Sequence, residues 1–370
     1  MRPSPDDIPL APPPLPSIPT ATDMFGAKVK QLARYTEETD WTAYNPSICY
    51  TEEHGYLITL RSSNGFLKDH REEWQAPLGE ELNTPDCFEE PSQWYQSAYI
   101  NAQYGSEKLF RNRLFIANFN PKTQNISFLR EVDLTEAYEK APFKIKRGIE
   151  DARLFHDGKT LKISAVLAEI DAVDCARICE IELDVDDTSA RGVSFKFFDS
   201  PVSEDTVEKN WMPVHRTSLV NSDEVTFDYI YAPTKTYTTE DNKLHDVGGF
   251  GEDYPIRGGS QLIGLENGTM LAIIHQCVTV DVIRFASITK PSLFRRRYTH
   301  RFVQYNSDGQ IIQVTDKFNF LNKSIEFAAG MAIKDNKVLI TFGALDSSAH
   351  LASIPLKNIL SALRPPVIST

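Results

Sequence analysis

One layout recurs five times along this chain, and it limits the fold more than any other feature does. Each copy has a polar or small opening, a short apolar strand, a turn and a longer apolar strand. The copies are NPSICYTEEHGYLITLR (45–61), EDARLFHDGKTLKISAV (150–166), RTSLVNSDEVTFDYIYA (216–232), GGSQLIGLENGTMLAIIHQ (258–276) and AAGMAIKDNKVLITFGA (328–344). Their turns, EEHG, HDG, NSD, ENG and KDN, hold residues that favour tight turns. DG between apolar runs is a strong hairpin signal. Second hairpins follow several copies, at 114–132, 178–198 and 301–318. Two hairpins in succession make a four-stranded antiparallel sheet, and five such sheets set radially make an all-β, five-bladed β-propeller. The span gives roughly 64 residues per blade, above the commoner 40–50, so long inter-strand loops are expected. Residues 62–110 form the largest insertion. A pair of β-sandwiches is the rival fold, but it offers no reason for a five-fold recurrence.

Few segments carry a helical pattern. In MFGAKVKQLARYTEE (24–38), Phe25, Val29, Leu32 and Tyr35 fall at helical spacing behind a cap at Thr22 or Asp23. LKNILSALR (356–364) is a second, shorter peripheral helix. Residues 1–22 are proline-rich and read as an extended arm, 23–364 as the propeller and 365–370 as a tail. Such an arm is a bland tail, a contact with a second copy in a homo-oligomer, or a recognition tether, and the first two readings are preferred.

Charge and cysteine usage narrow the partners. The net charge is −12 and there is no long basic tract, which argues against nucleic acid. Arg295, Arg296, Arg297 and Arg301 cluster, and in an acidic protein such a cluster suits a small anion. The five cysteines, Cys49, Cys87, Cys175, Cys179 and Cys277, include no CxxC pair. They read as free thiols in a reducing, cytoplasmic compartment, and no metal is expected. No apolar run reaches the ~18 residues of a membrane-spanning helix.

The second repeat opens unusually, with Glu150, Asp151 and Arg153 at the start of a strand. In a propeller the first strand of each blade lines the central channel, so strand openings converge at one mouth. The openings bring Asn45 and Pro46, then Glu150, Asp151 and Arg153, then His215 and Arg216, then Gly259, Ser260 and Gln261, then Glu326 and Phe327. The far ends of the hairpins add Arg61, Lys235, His275 and Asp346. The residues alone leave two readings open: solvated strand ends, or a site.

Taken in order, these segments resemble glycoside hydrolase family 130, five-bladed propellers that phosphorolyse or hydrolyse β-mannosides, with β-1,2-mannosyltransferases as relatives. The resemblance rests on NPS…YLITLRSS, RGIEDARLF, EKNW at 208–211, GGSQLI…MLAIIHQ, RRYTHRF and IEFAAGMA…LITFGALD. Ala152 stands where the family has Pro. The resemblance implies that Asp151 is the proton donor, acting through a sugar hydroxyl on a bond attacked from the opposite ring face. It implies an anion and sugar shell drawn from Arg61, Arg153, Lys209, His275, Tyr298 and Arg301, since guanidinium forks and a lysine suit phosphate. Asn45, Glu150, His215 and Asp346 are the candidate sugar ligands, with His300 a further hydroxyl-orienting candidate.

Inorganic phosphate or a sugar 1-phosphate is then the co-substrate, with no cofactor. A hydrolase would instead need a base roughly 6.5–9.5 Å from the acid, for which Glu326 and Glu252 are the candidates. Trp211, Tyr254, Trp94 and Tyr95 could stack on sugars, although aromatic residues in β-proteins are more often core. GGFGEDYPIRGG (248–259) opens no helix, so it reads as a loop over the channel mouth rather than a nucleotide cradle. A non-catalytic glycan- or protein-binding propeller is the reading from a different class.

Overall fold

A computed structural model describes residues 9–10, 18–33, 41–63, 65–67, 99–101, 111–145, 147–167, 176–248, 256–285, 293–323 and 325–366. Apart from the separate pair Gly65–Leu67 and Tyr99–Asn101, its main strands fall into five antiparallel groups in chain order. The first holds Thr42–Thr51, Gly55–Ser63, Asn112–Asn120 and Asn125–Glu131. The second holds Ile149–His156, Leu161–Leu167 and Arg177–Val185, and this last strand pairs outward with both Ala190–Gly192 and Lys196–Phe198. The third holds Met212–His215, Tyr229–Ala232, Lys235–Thr238 and Lys243–Asp246. In the fourth, Ile256–Gly258 and Leu262–Gly264 both pair with Met270–Phe285, followed by Leu293–Tyr305 and Ile311–Val314. The fifth holds Glu326–Lys334, Lys337–Ala344 and Ser348–Pro355, and Lys28–Ala33 from the other end of the chain completes it.

The innermost strands close a ring. Thr42–Thr51 touches Ile149–His156, which touches Met212–His215, which pairs in parallel with Leu262–Gly264. That strand reaches Glu326–Lys334, which returns to Thr42–Thr51. The architecture is therefore all-β and propeller-like, with apolar clusters packed between neighbouring groups.

The axis is filled by polar groups, not apolar ones. Gln261, fully buried, donates from Nε2 to the carbonyls of Ile48 (2.7 Å) and Met331 (2.9 Å) and accepts from the Met331 N–H. Ser47 Oγ donates to the Ala329 carbonyl and accepts from the Leu154 N–H, both at 2.9 Å. The strands approach so closely that a β-carbon on Gly330 would lie 2.2 Å from the Ile48 nitrogen. Ser260 and Gln261 are thus a plug below the mouth, not part of an open polar rim.

Two sequence expectations need correction. The helix over 24–38 is a single turn, Ala21–Phe25, capped by Thr20 and stopped by Gly26 at φ 67°. The chain then enters the strand Lys28–Ala33, whose pairing with Ser348–Pro355 outweighs the helical spacing of Val29 and Leu32. Tyr35 lies outside the described residues. The third repeat also departs from the expected strand, because its inner strand lies before the RTSLV opening. Its inner strand is Met212–His215, and Arg216–Ser218 is a turn of 3-10 helix. The helix at Leu356–Ala362 stands where it was expected. Among the described residues, no helix is long and apolar enough to cross a membrane.

Candidate active site

Three inner strands carry one extra residue near the same end. Tyr44 opposes Arg61 and Ser47 opposes Thr59, so Asn45 and Pro46 share one partner position. Glu150 opposes Val166 and Arg153 opposes Ser164, so Asp151 and Ala152 also share one. Ala329 is the extra residue of the fifth group. Bulges of this kind bend a strand and re-aim its side chains. Here they set Asn45 at φ 44° and Asp151 at φ 51°. Asn210 (φ 66°), Leu345 (φ 54°) and Asp346 (φ 50°) share the left-handed backbone. A β-carbon makes that conformation cost about 1–2 kcal/mol, less for Asn and Asp, and such strain collects at functional sites.

The re-aimed side chains meet around Arg61. Its Nη1 donates to Asp151 Oδ1 at 2.9 Å, Nη2 lies 3.0 Å from Glu150 Oε1, and Nε donates to Asn112 Oδ1 at 2.8 Å. The guanidinium carbon stands 4.9 Å over the Tyr44 ring. Burial works against the Arg61 charge, but Glu150, Tyr44, Asp151 and Asp346 outweigh it and raise its pKa further. Asn45 Nδ2 donates to the same Asp151 oxygen at 2.8 Å. Burial alone would raise the Asp151 carboxyl. Arg61, the Asn45 hydrogen bond, Lys209 and Arg153 overcome it and hold the group below the ordinary carboxylate range. Asp151 is therefore ionised in the free protein at neutral pH.

Arg153 is the second cation, and its surroundings differ. It is 1% exposed, yet its hydrogen bonds go to the Gly259 carbonyl (2.5 Å), Asn210 Oδ1 (3.2 Å) and the Asp151 carbonyl (3.4 Å). None of these acceptors is a carboxylate. Burial pushes its pKa down to about 10, with Asp151 and Tyr229 pulling the other way. Phe327 lies beneath it at 5.4 Å and also meets His275 edge-on at 5.2 Å. His275 stacks on Tyr298 at 5.4 Å. Burial, then His300, Arg153 and Arg257, hold His275 well below the usual histidine pKa, so it is neutral. Lys209 is exposed beside Asn210, and its charge reaches Asp151.

One mouth of the ring thus gathers Asn45, Arg61, Glu150, Asp151, Arg153, Lys209, His275, Tyr298 and Asp346. Other expected residues go elsewhere. His215 is at the opposite end, because its strand begins at Met212. Its Nδ1 accepts from the His156 N–H at 3.0 Å and its Nε2 meets the Tyr50 carbonyl at 3.2 Å. Arg301 opposes Ile274, so pleat alternation places it on the face opposite His275 and Tyr298, and its Nη1 donates to the Thr315 carbonyl at 2.6 Å. His300 is buried between Phe318 and Phe320, and burial pushes its pKa down to about 3.

The hydrolytic base assigned to Glu326 is not supported. Its carboxylate accepts the N–H groups of Phe320 (2.6 Å), Leu321 (2.9 Å) and Lys323 (2.7 Å), which makes it a buried loop anchor. Trp211 is core rather than platform, packed with Phe198, Tyr229, Tyr231 and Tyr237 and donating to Glu208 at 2.9 Å. Trp94, Tyr95, Tyr254 and Glu252 lie outside the described residues, as do the side chains of Arg295, Arg296 and Arg297.

Sequence reading missed Asn112 and Asn210. Asn112 comes from the third strand of its group and Asn210 from a loop, so neither opens a repeat. Among the described residues, no cluster of three or more His, Cys, Asp or Glu is placed to hold a metal ion.

No family model matches the chain, and no curated protein matches it. Solved structures with a similar arrangement include a β-1,2-mannobiose phosphorylase from Listeria innocua, 14% identical over 88% of this chain and 94% of that one, with a TM-score of 0.48. A GDP-mannose-dependent mannosyltransferase from Leishmania mexicana is 13% identical over 89% and 90%, with a TM-score of 0.47. A glycoside hydrolase family 130 structure, described with hydrolases that target β-1,2-mannosidic linkages in Candida mannan, is 11% identical over 94% and 97%, with a TM-score of 0.49.

Proposed function

We propose that this protein is a carbohydrate-active enzyme that makes or breaks β-mannosidic or similar linkages, with inversion, using phosphate or a sugar 1-phosphate. One observation carries the reading. An ionised, strained Asp151 shares a channel mouth with Arg153, a buried cation whose described acceptors are neutral. A carboxylate for proton transfer and a guanidinium with unspent charge are what inverting transfer to or from phosphate requires. The segment-by-segment resemblance of the sequence supports the same chemistry.

The ionisation state adds a direction. Asp151 without its proton is the form that accepts one, so the free enzyme is poised as the base of mannosyl transfer to an acceptor hydroxyl. In phosphorolysis the same carboxyl must first gain a proton, which substrate burial would favour by excluding water. Arg61 is already neutralised by Glu150 and Asp151 and serves the carboxylates. The anion is therefore assigned to Arg153 and Lys209, with neutral His275 and Tyr298 beside them. Inverting hydrolysis is the second reading, and it must find a base other than Glu326.

The test is phosphate release from mannose 1-phosphate with mannose, glucose, N-acetylglucosamine and short mannosides as acceptors. Wild type and Asp151→Asn are run side by side. Release that needs both an acceptor and Asp151 is the expected result. Silence across the panel, with sugar binding still seen by calorimetry, would replace the enzyme by a glycan-binding propeller.

A further inference from the structure

Arg61 is held on three edges, by Glu150, Asp151 and Asn112, and the last of these is neutral. A guanidinium is a planar fork, so three fixed acceptors fix both its position and its plane. Glu150 and Asp151 take the two Nη atoms, and Asn112 Oδ1 takes Nε at 2.8 Å. The Nε contact adds the third in-plane anchor, beside the Tyr44 ring that faces the guanidinium.

Asn112 is itself anchored. Its N–H donates to the Arg147 carbonyl at 2.7 Å, and it lies opposite Ser63 in the sheet. Its own carbonyl packs against Gly148, where a β-carbon would come within 2.5 Å. The orientation of its amide is set by charge, because a flip would turn Nδ2 towards the Arg61 Nε–H. Nδ2 is buried and has no hydrogen-bond partner among the described residues. An aspartate here would hold Nε equally well, but it would add a carboxylate to a centre already holding Glu150, Asp151 and, through its charge, Asp346. A neutral amide supplies the acceptor without that charge.

We propose that Asn112 is a positioning residue that locks the plane of the Arg61 guanidinium and, through it, the aim of the Asp151 carboxylate. Its kinetic consequences rest on the glycosyl-transfer reading above; its effect on Asp151 does not. Around Asp151 the charged and polar groups are Arg61, Glu150, Lys209, Arg153 and Asn45, with Asp346 acting on Arg61.

The test compares Asn112→Leu, which keeps the volume and loses the acceptor, with Asn112→Asp, which keeps the acceptor. Asn112→Ser is a milder replacement should the leucine variant fail to fold. The leucine variant should lose at least ~10-fold in kcat with KM within about threefold, and the aspartate variant should stay within about threefold of wild type at its own pH optimum.

In the free protein, the Asp151 carboxyl is followed by carbon-13 NMR and identified by its loss in Asp151→Asn. Its titration midpoint should rise by at least ~0.5 pH unit in the leucine variant. Equal losses in the leucine and aspartate variants, or an unchanged midpoint in a folded leucine variant, would overturn the proposal. If wild type turns over no donor, the glycosyl-transfer reading fails while the titration still decides the role of Asn112.

Discussion

The two mouths of the channel are built from opposite ends of the same five strands, yet they are chemically unlike. At one, Asn45, Asp151, Asn210 and Asp346 take left-handed backbone, and charged groups crowd a small volume. At the other, His215, His156 and Tyr50 close a satisfied hydrogen-bond chain, and a cavity of about 180 Å³ opens between Tyr50, Glu52, His215, Thr217 and Lys334. The second mouth has a cavity, and its left-handed residues, Asp335 and Asn336, are hairpin-turn positions; at the first mouth the left-handed Asn45 and Asp151 sit at bulges inside strands. Strain and excess charge cost stability, so they persist where they serve a purpose, whereas a polar lining with every group paired serves the fold. The difference teaches that a ring of polar residues does not by itself mark a site.

The largest break in this comparison should come from two single substitutions. Asp151→Asn keeps the shape but not the proton chemistry, and turnover should fall by roughly 10³-fold. His215→Gln, at the opposite mouth, should leave kcat and KM at parental values. Equal losses from the two would dissolve the distinction between the mouths. The steady-state assay with an acceptor panel reads both variants.

The next effect lies between the mouths. Gln261→Leu removes the amide that ties Ile48 and Met331 together across the axis. Buried backbone groups would lose their partners, and unfolding free energy should drop by about 3 kcal/mol. Urea denaturation measures it. A drop as small as that of a surface substitution would mean that the plug is dispensable.

The contrast also shows what the sequence could reveal. Four of the five hairpins were legible because turn chemistry and alternation are local signals. Asp151 and Arg153 were legible because they sit in one short segment at a strand opening. His215 was misplaced because the true inner strand, Met212–His215, is only four residues long and lies outside the quoted repeat. Arg301 was misjudged because its side depends on pleat parity counted from Ile274 in the neighbouring strand. Glu326 looked like a spare carboxylate because its three backbone donors come from a loop with no motif. Asn112 was invisible because its value lies in one contact with Arg61, 51 residues away in sequence. The bulges that turn Asn45 and Asp151 arise from cross-strand register, which no single segment encodes.

Acid titration separates His215 from Asp151 without any substrate. His215 is driven to a pKa of about 4, by burial first and by His156 second. The unfolded chain protonates it near 6.5, so between about pH 6.5 and 4 the unfolded state binds more protons and stability falls as pH drops. The limit is roughly 3 kcal/mol. His350, also near 4, His300, near 3, and His275 at the first mouth contribute with the same sign. Asp151 acts in a lower window. Its folded pKa is depressed, so its contribution is present above about pH 3.9 and is lost as pH falls through the folded value. His215→Gln should flatten the stability curve between pH 6.5 and 4, and Asp151→Asn should flatten it only below. Thermal melts across pH 3–7 test both; flattening in the same window by both variants would contradict the assignment.

The smallest effect belongs to the rim of the second mouth. Lys334 Nζ lies 2.8 Å from Glu52 Oε1 and 4.5 Å from the Tyr50 ring centroid, and both charged partners are solvent-exposed. An exposed pair gains little, because water screens the attraction and two long side chains lose freedom to form it. Lys334→Ala should therefore move the melting midpoint by less than about 1 °C and leave turnover unchanged. The Arg61–Asp151 pair has a similar separation, 2.9 Å, but it is shielded by Tyr44, Asn45 and Asn112. Distance alone predicts equal consequences for the two pairs, whereas shielding predicts a large one at Asp151 and almost none at Lys334. If Lys334→Ala proved as damaging as Asp151→Asn, geometry without environment would suffice, and the contrast between the mouths would lose its physical basis.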